Sequence, residues 1–371
     1  MNNTERTRAI LHYENYDRLP IVHFGYWGET LQKWRDEGHL TAEEAATWTD
    51  SNATDVIIAA KLGFDFDWQP NHGIHTGLLP GFAREIIETL PDGSRHVRGD
   101  DGVTLLERDG AGSIPMEIAH LLTDRASWEE HYKSKLQAEN RVDPAGMRAH
   151  YDAQCKLDRP QGFHVGSLFG NIRTWLGVEG SSYLLCDDEE LYREIIDTVG
   201  NMTYAAAKEA LATGLKFDYA HFWEDICFKN GPLVIPEIFA EMVGLHYKKI
   251  TELLAAHDID IVSLDCDGCI DSLLPIWLEN GVNTMFPIEV GTWNASIAPW
   301  REKYGKAIRG VGGMNKTIFA YDYAAVDAEI ERLKPLVALG GYIPCPDHRI
   351  APDAKWENVQ YYCEQMHKAF S

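Results

Sequence analysis

From about residue 160 to its end, the chain repeats one pattern: a short apolar run, a polar loop, then a longer amphipathic stretch. This constrains the fold more than any other feature. Strands separated by helices of this length lie parallel, and each return is made by a crossover helix. The apolar runs fall at 162–170, 216–225, 258–265, 282–291, 307–315 and 341–348. The amphipathic stretches fall at 188–214, 235–257, 270–281 and 323–340, and in the closing WENVQYYCEQMHKAF. Several of them stop at glycine, as helices tend to. RLPIVHFGYW (18–27) reads as the first strand. Residues 84–108 break the pattern. Asp-Gly pairs at 92–93 and 101–102 separate runs able to pair antiparallel. The count is roughly eight parallel strands, so the expected fold is α/β. It is a single (β/α)8 TIM barrel, one domain over residues 1–371, with an antiparallel β insertion near residues 84–108. The alternative, a doubly wound open sheet, would carry a Gly-rich first turn, and no G-x-G-x-x-G follows a strand here.

Charge excludes two classes of partner. The formal net charge is −23, whereas nucleic acid and anionic membranes are bound by basic surfaces. The longest apolar runs, such as DVIIAA and IDIVSL, are far shorter than the ~18 residues of a membrane span. The N-terminus MNNTERTRAILHYENYDRLP lacks the apolar core of a signal peptide. A cytoplasmic location is the expectation. The seven cysteines are an odd number scattered through a long chain, which suits reduced thiols better than a disulfide framework.

In a barrel of this kind chemistry sits at the C-terminal ends of the strands. That rule selects His23, then His164 and Ser167, then His221, Glu224 and Asp225, then Asp265 and Asp267, Glu289, and finally Cys345, Asp347 and His348. Residues two apart on a strand face the same way. Asp265 and Asp267 therefore project together, and Cys266 between them projects oppositely. Two carboxylates on one face can hold a divalent cation, bind a donor group or share a proton. Cys266 and Cys269 have zinc spacing, and Cys345 with His348 could complete a Cys₃His set. The opposing reading makes Cys266 a buried barrel thiol and Cys269 the start of a helix. Of the adjacent acids Glu224 and Asp225 only one can point inward, and Glu224 is the choice. Glu224, Glu289 and His348 are the candidate catalytic groups. His23, Tyr26, Trp27, His164 and Trp223 are the candidate substrate-binding groups, walling a pocket for an apolar or aromatic small molecule.

These residues carry a resemblance. The chain resembles the uroporphyrinogen decarboxylase superfamily in MNNTERTRAILHYENYDRLPIVHFG, in WEDICFKNGPLVIPEIFAEMV and in VDAEIERLKPLVALGGYIPCPDHRIAPD, so that the resemblance covers most of its length. It implies a (β/α)8 barrel with its site at the strand ends. The true decarboxylases carry an Arg-rich segment resembling R-Q-A-G-R-Y after the first strand, where this chain reads HFGYWGETLQKW. The corrinoid-system methyltransferases carry a zinc-binding His-x-Cys-Gly at a late strand end and a further Cys at the last. Those positions fall on Asp265, Cys266, Asp267 and Gly268, and on Cys345. The resemblance thus implies a metal, zinc, on Asp265, Asp267 and Cys345. It also implies methyl transfer from a small methylated substrate, such as a methoxylated aromatic, to a corrinoid carried by a partner protein. An oxygen-rich site suits Lewis-acid action on a methyl ether better than activation of a soft thiolate. The alternative is metal-independent decarboxylation of a porphyrinogen, with Asp265 or Asp267 stabilising a protonated intermediate. A homodimer is compatible with either reading.

Overall fold

Eight strand positions follow one another around a central parallel sheet in chain order. The computed structural model describes residues 1–108 and 116–371. The first two positions are β1 (Val22–His23) and β2 (Phe66–Asp67), which pair parallel. β3 (His72–Gly73) continues the β2 stretch and pairs with the next strand instead. A seven-stranded sheet then runs from β3 through β8 (Gly162–Gly166), β9 (Tyr219–Trp223), β12 (Val262–Asp265), β13 (Thr284–Phe286), β14 (Arg309–Met314) and β15 (Tyr342–Pro346). Between β15 and β1 the ladder reduces to one parallel bridge, Tyr26 to Ile350. There Ile350 N–H donates to Gly25 O at 3.0 Å and Trp27 N–H to Ile350 O at 3.2 Å. The fold is α/β around a central parallel sheet, and its strand order is the one a (β/α)8 barrel requires. The main-chain ladder is not closed, being interrupted within 66–73 and at the β15–β1 seam.

The antiparallel insertion is larger than its turn signals imply. β4 (Glu85–Thr89), β5 (Arg95–Arg98), β6 (Val103–Glu107) and β7 (Met116–His120) form a four-stranded meander, extending past 108 to His120. A small antiparallel pair, β10 (Cys227–Phe228) with β11 (Gly231–Pro232), follows β9.

The crossover helices form for local reasons. Asp188 caps the helix Glu189–Leu211 by accepting from Leu191 N–H at 2.9 Å. That helix buries Leu191, Ile195, Val199, Met202 and Ala206 as one stripe at three- and four-residue spacing. A helix precedes it, Gly170–Asp187, which the apolar pattern does not announce, and Gly177 interrupts it with left-handed backbone (φ 71°). Inside the sheet, Trp68 is fully buried and stacks on Tyr219 with centroids 4.6 Å apart. Its Nε1–H donates to Ser263 Oγ at 3.3 Å. A buried ring of this size stabilises the fold by roughly 2–3 kcal/mol. No helix among the described residues is long and apolar enough to cross a membrane.

Candidate active site

β12 delivers Ser263 and Asp265 to the interior face, and the chain then leaves the sheet through Asp267 and Gly268. Gly268 has a left-handed φ of 86°, and a Cβ there would come within 2.6 Å of Cys227 O. Only glycine lets this loop pack so closely on the neighbouring β10. Asp225, from the end of β9, takes a left-handed φ of 48° and accepts from Asp267 N–H at 3.1 Å. Ligand atoms of Asp225, Asp265 and Asp267 thereby converge within 4.8 Å of one another. Asp265 is only 7% exposed. Burial pushes its carboxyl well above the usual carboxylate range, and the charges of Asp267 and Asp225 add to the rise. Asp225 is raised for the same reasons, burial first and Asp267 second.

A second ring of residues holds this cluster. Glu289 accepts from Gly268 N–H at 2.5 Å and from Thr292 Oγ1 at 2.8 Å. Burial, then the Asp267 charge, raises its carboxyl. His348 Nε2 lies 3.1 Å from Asp267 Oδ2. The His348 ring stacks on Trp27 (5.4 Å, 21°) and touches Phe24 at 5.1 Å, and Phe24 packs on Phe286 at 4.4 Å. Buried Asp267 Oδ1 and His348 Nδ1 have no hydrogen-bond partner among the described residues. Beneath the cluster, His221 contacts Phe286 at 5.9 Å and His164 at 6.1 Å. Burial holds both imidazoles neutral, His164 at about 4. Trp223 is the ladder partner of Asp265 and half-buried at the same strand ends.

Two residues at the mouth were not among the catalytic, binding or metal candidates drawn from the sequence. Asp225 was passed over for its neighbour, and Lys316 carries no motif. Lys316 follows β14, its N–H donates to Asp347 Oδ1 at 3.1 Å, and its ammonium faces the charges of Asp347, Asp267 and Glu289. A lysine two residues beyond a glycine-rich strand end is the only signal that could have found it.

Several expectations need correcting. Glu224 does not face the mouth. It is fully buried and accepts from Leu168 N–H (2.8 Å), Phe169 N–H (2.9 Å), Gly170 N–H (2.6 Å), Ser167 Oγ (3.1 Å) and Tyr247 OH. It anchors the start of the helix Gly170–Asp187 and has no lone pair to spare for a metal or substrate. Cys345 is fully buried and lies outside the converging carboxylates. The mixed Asp–Cys ligand set is therefore not assembled. His23 and Tyr26 are also sealed, with His23 at 0% and Tyr26 at 1% exposure. They stack on each other and face Phe64, Trp34 and Trp48 in the helix layer. They pack against the helix layer, away from the carboxylate cluster. Cys266 is buried against the Cys227 thiol, and the Cys269 N–H donates to Phe228 O.

The layer around His23 makes its own prediction. Asp55 Oδ2 lies 3.7 Å from His23 Nε2, and burial with the nearby Asp67 charge pushes the Asp55 carboxyl up to about 8. The folded protein holds this proton up to that pH, whereas the unfolded chain releases it near about 4. The stabilisation is fully present below about pH 4 and is lost as pH rises through about 8. Asp55→Asn keeps an acceptor for Trp48 Nε1 and removes the titration. Thermal melts from pH 5 to 9 are expected to show a flatter profile for the variant. Its advantage at pH 9 is on the order of a few kcal/mol.

The donor set decides which group the site fits. Three carboxylates suit a hard divalent cation. A zinc–thiolate centre does not fit, because the cysteine lies outside the cluster. No protein-family model matches the sequence, and no curated protein matches it. Among solved structures, the chain is similar to a methyltransferase from Methanosarcina mazei, with a TM-score of 0.61 and 13% identity over 99% of both chains. It also aligns to a B12-independent methionine synthase from Shewanella sp. W3-18-1 in complex with selenomethionine. That alignment has a TM-score of 0.49 and 12% identity over 95% of this chain and 98% of that one. The first likeness establishes a shared fold along the whole chain. At this identity it carries no residue of the site.

Proposed function

We propose that this chain is a methyl-transfer enzyme of the uroporphyrinogen decarboxylase superfamily, removing a methyl group from oxygen in a small methylated compound. The observation that carries the reading is the convergence of Asp225, Asp265 and Asp267 beside the His348–Asp267 pair at the strand ends. The whole-chain likeness to a protein named as a methyltransferase supports it. The three carboxylates would hold a divalent cation, zinc or a harder ion, which supplies Lewis acidity at the donor oxygen. Glu289, itself held by Thr292 Oγ1, fixes the Asp267–Gly268 turn by accepting from Gly268 N–H. In this reading His348, its Nε2 3.1 Å from Asp267 Oδ2, hands a proton to the leaving oxygen. Trp27, half-buried and stacked on His348, offers an apolar face to an aromatic donor. The acceptor in this reading is the cobalt of a corrinoid carried by a partner protein.

The test is direct. The protein is incubated with a methoxybenzoate and cobalamin reduced to Co(I), and the corrinoid spectrum and the phenolic product are followed together. Matched appearance of methylcobalamin and phenol is expected. Absence of both across methoxylated donors, with turnover of uroporphyrinogen by chelator-treated protein, would replace this reading with decarboxylation.

A further inference from the structure

A groove of about 970 Å³ opens between β7 and the helix Gly170–Asp187. Its floor is apolar and open to solvent, with Ile118 at 40%, Val178 at 36% and Tyr183 at 65% exposure. Its rim is acidic. Glu117, Asp124, Glu179, Asp187 and Asp188 line it with Arg125, and Glu117 also faces Arg173 at 3.9 Å. Arg125 is already engaged by Asp188 at 3.1 Å and Glu194 at 3.0 Å. Exposed Glu189 and Glu190 continue the acidic rim into an adjoining hollow. β7 is an edge strand of its sheet, and its outer edge pairs with no strand among the described residues.

Arg173, at the start of the same helix, lies 3.9 Å from Glu117 of β7, and its charge acts on Asp225 of the carboxylate cluster. The kink at Gly177 leaves no room for a side chain beside His120, which brings β7 and the helix together at this point.

We infer that this groove docks a partner protein through a segment whose apolar anchors are flanked by lysine or arginine. Ile118, Val178 and Tyr183 gather in one groove, where a partner's apolar side chains can be buried. The acidic rim selects a basic occupant, because like charges brought together across an interface cost several kcal/mol. A second copy of this chain, at a net charge of −23, is a poor electrostatic match. The inference stands on the groove alone and is independent of the reaction at the mouth.

The full-length protein is titrated, at physiological salt, against two fluorescein-labelled heptapeptides. One alternates lysine with leucine, and the other alternates lysine with serine. Fluorescence anisotropy is expected to show the lysine–leucine peptide binding about tenfold tighter. Ile118→Ser and Tyr183→Ser should each reduce that advantage. Asp187→Asn combined with Glu189→Gln should weaken both peptides alike. Thermal melts check that the variants are folded. Equal binding of the two peptides, or an advantage that survives both serine substitutions, would overturn the inference. A dimer in light scattering that dissociates in Tyr183→Ser would also overturn it, by assigning the groove to a second copy.

Discussion

Asp265→Asn is expected to lower kcat/KM by about 10²–10³-fold while leaving the fold intact or slightly more stable. The two effects separate because the same burial produces both. Asp265 is 7% exposed and sits against two further carboxylates. Its folded-state pKa is raised, so its contribution to stability is fully present at low pH and is lost as the pH climbs. Asparagine has nearly the shape of the neutral carboxyl and never ionises. The melting-temperature gap between variant and wild type, both metal-stripped, should therefore widen from pH 5 to pH 8. The amide cannot supply the anionic oxygen that cation binding requires. Thermal melts and steady-state kinetics on one preparation check both halves. A variant of unchanged activity would remove Asp265 from the reactive centre.

Glu224→Ala should show the opposite separation. Removing this side chain leaves three main-chain N–H groups, Ser167 Oγ and Tyr247 OH without their buried acceptor. Those amides open the helix Gly170–Asp187, where a negative charge is favoured by the helix dipole. Burial raises the carboxyl and these donors oppose the rise. The expected loss is about 3–5 kcal/mol, a fall of roughly 5–10 °C in melting temperature. Glu224→Gln keeps one acceptor oxygen and should lose less. Any drop in activity should follow the fraction folded. A stable Glu224→Ala protein that is inactive would return the residue to the reactive site.

The two acids are adjacent in sequence and differ in role, which marks the limit of reading this site from sequence. Alternation correctly requires that only one face the mouth. It cannot choose between them once the strand ends, and the left-handed turn at Asp225 swings that side chain into the cluster while Glu224 caps a helix. Asp265 and Asp267 were legible because β12 persists through Asp265 and the Gly268 turn follows at once. His23 and Tyr26 misled because β1 is only two residues long, so proximity to a strand end did not place them at the mouth. Cys345 lies within β15 itself, sealed on the core. The helix Gly170–Asp187 was hidden by Gly177, Gly180 and two serines, which dilute the helical pattern. The alternation that placed the later strands is a property of many residues at once and survives such local exceptions.

The proposed reactive centre is a carboxylate trio and not a cysteine-containing site. Calorimetric titration of chelator-treated protein with Mn²⁺ and with Zn²⁺, in wild type, Asp265→Asn and Cys345→Ala, tests this most directly. The predicted result is one equivalent of metal bound by wild type and by Cys345→Ala, with binding lost in Asp265→Asn. Undiminished binding in Asp265→Asn, or binding lost only with Cys345, would contradict it.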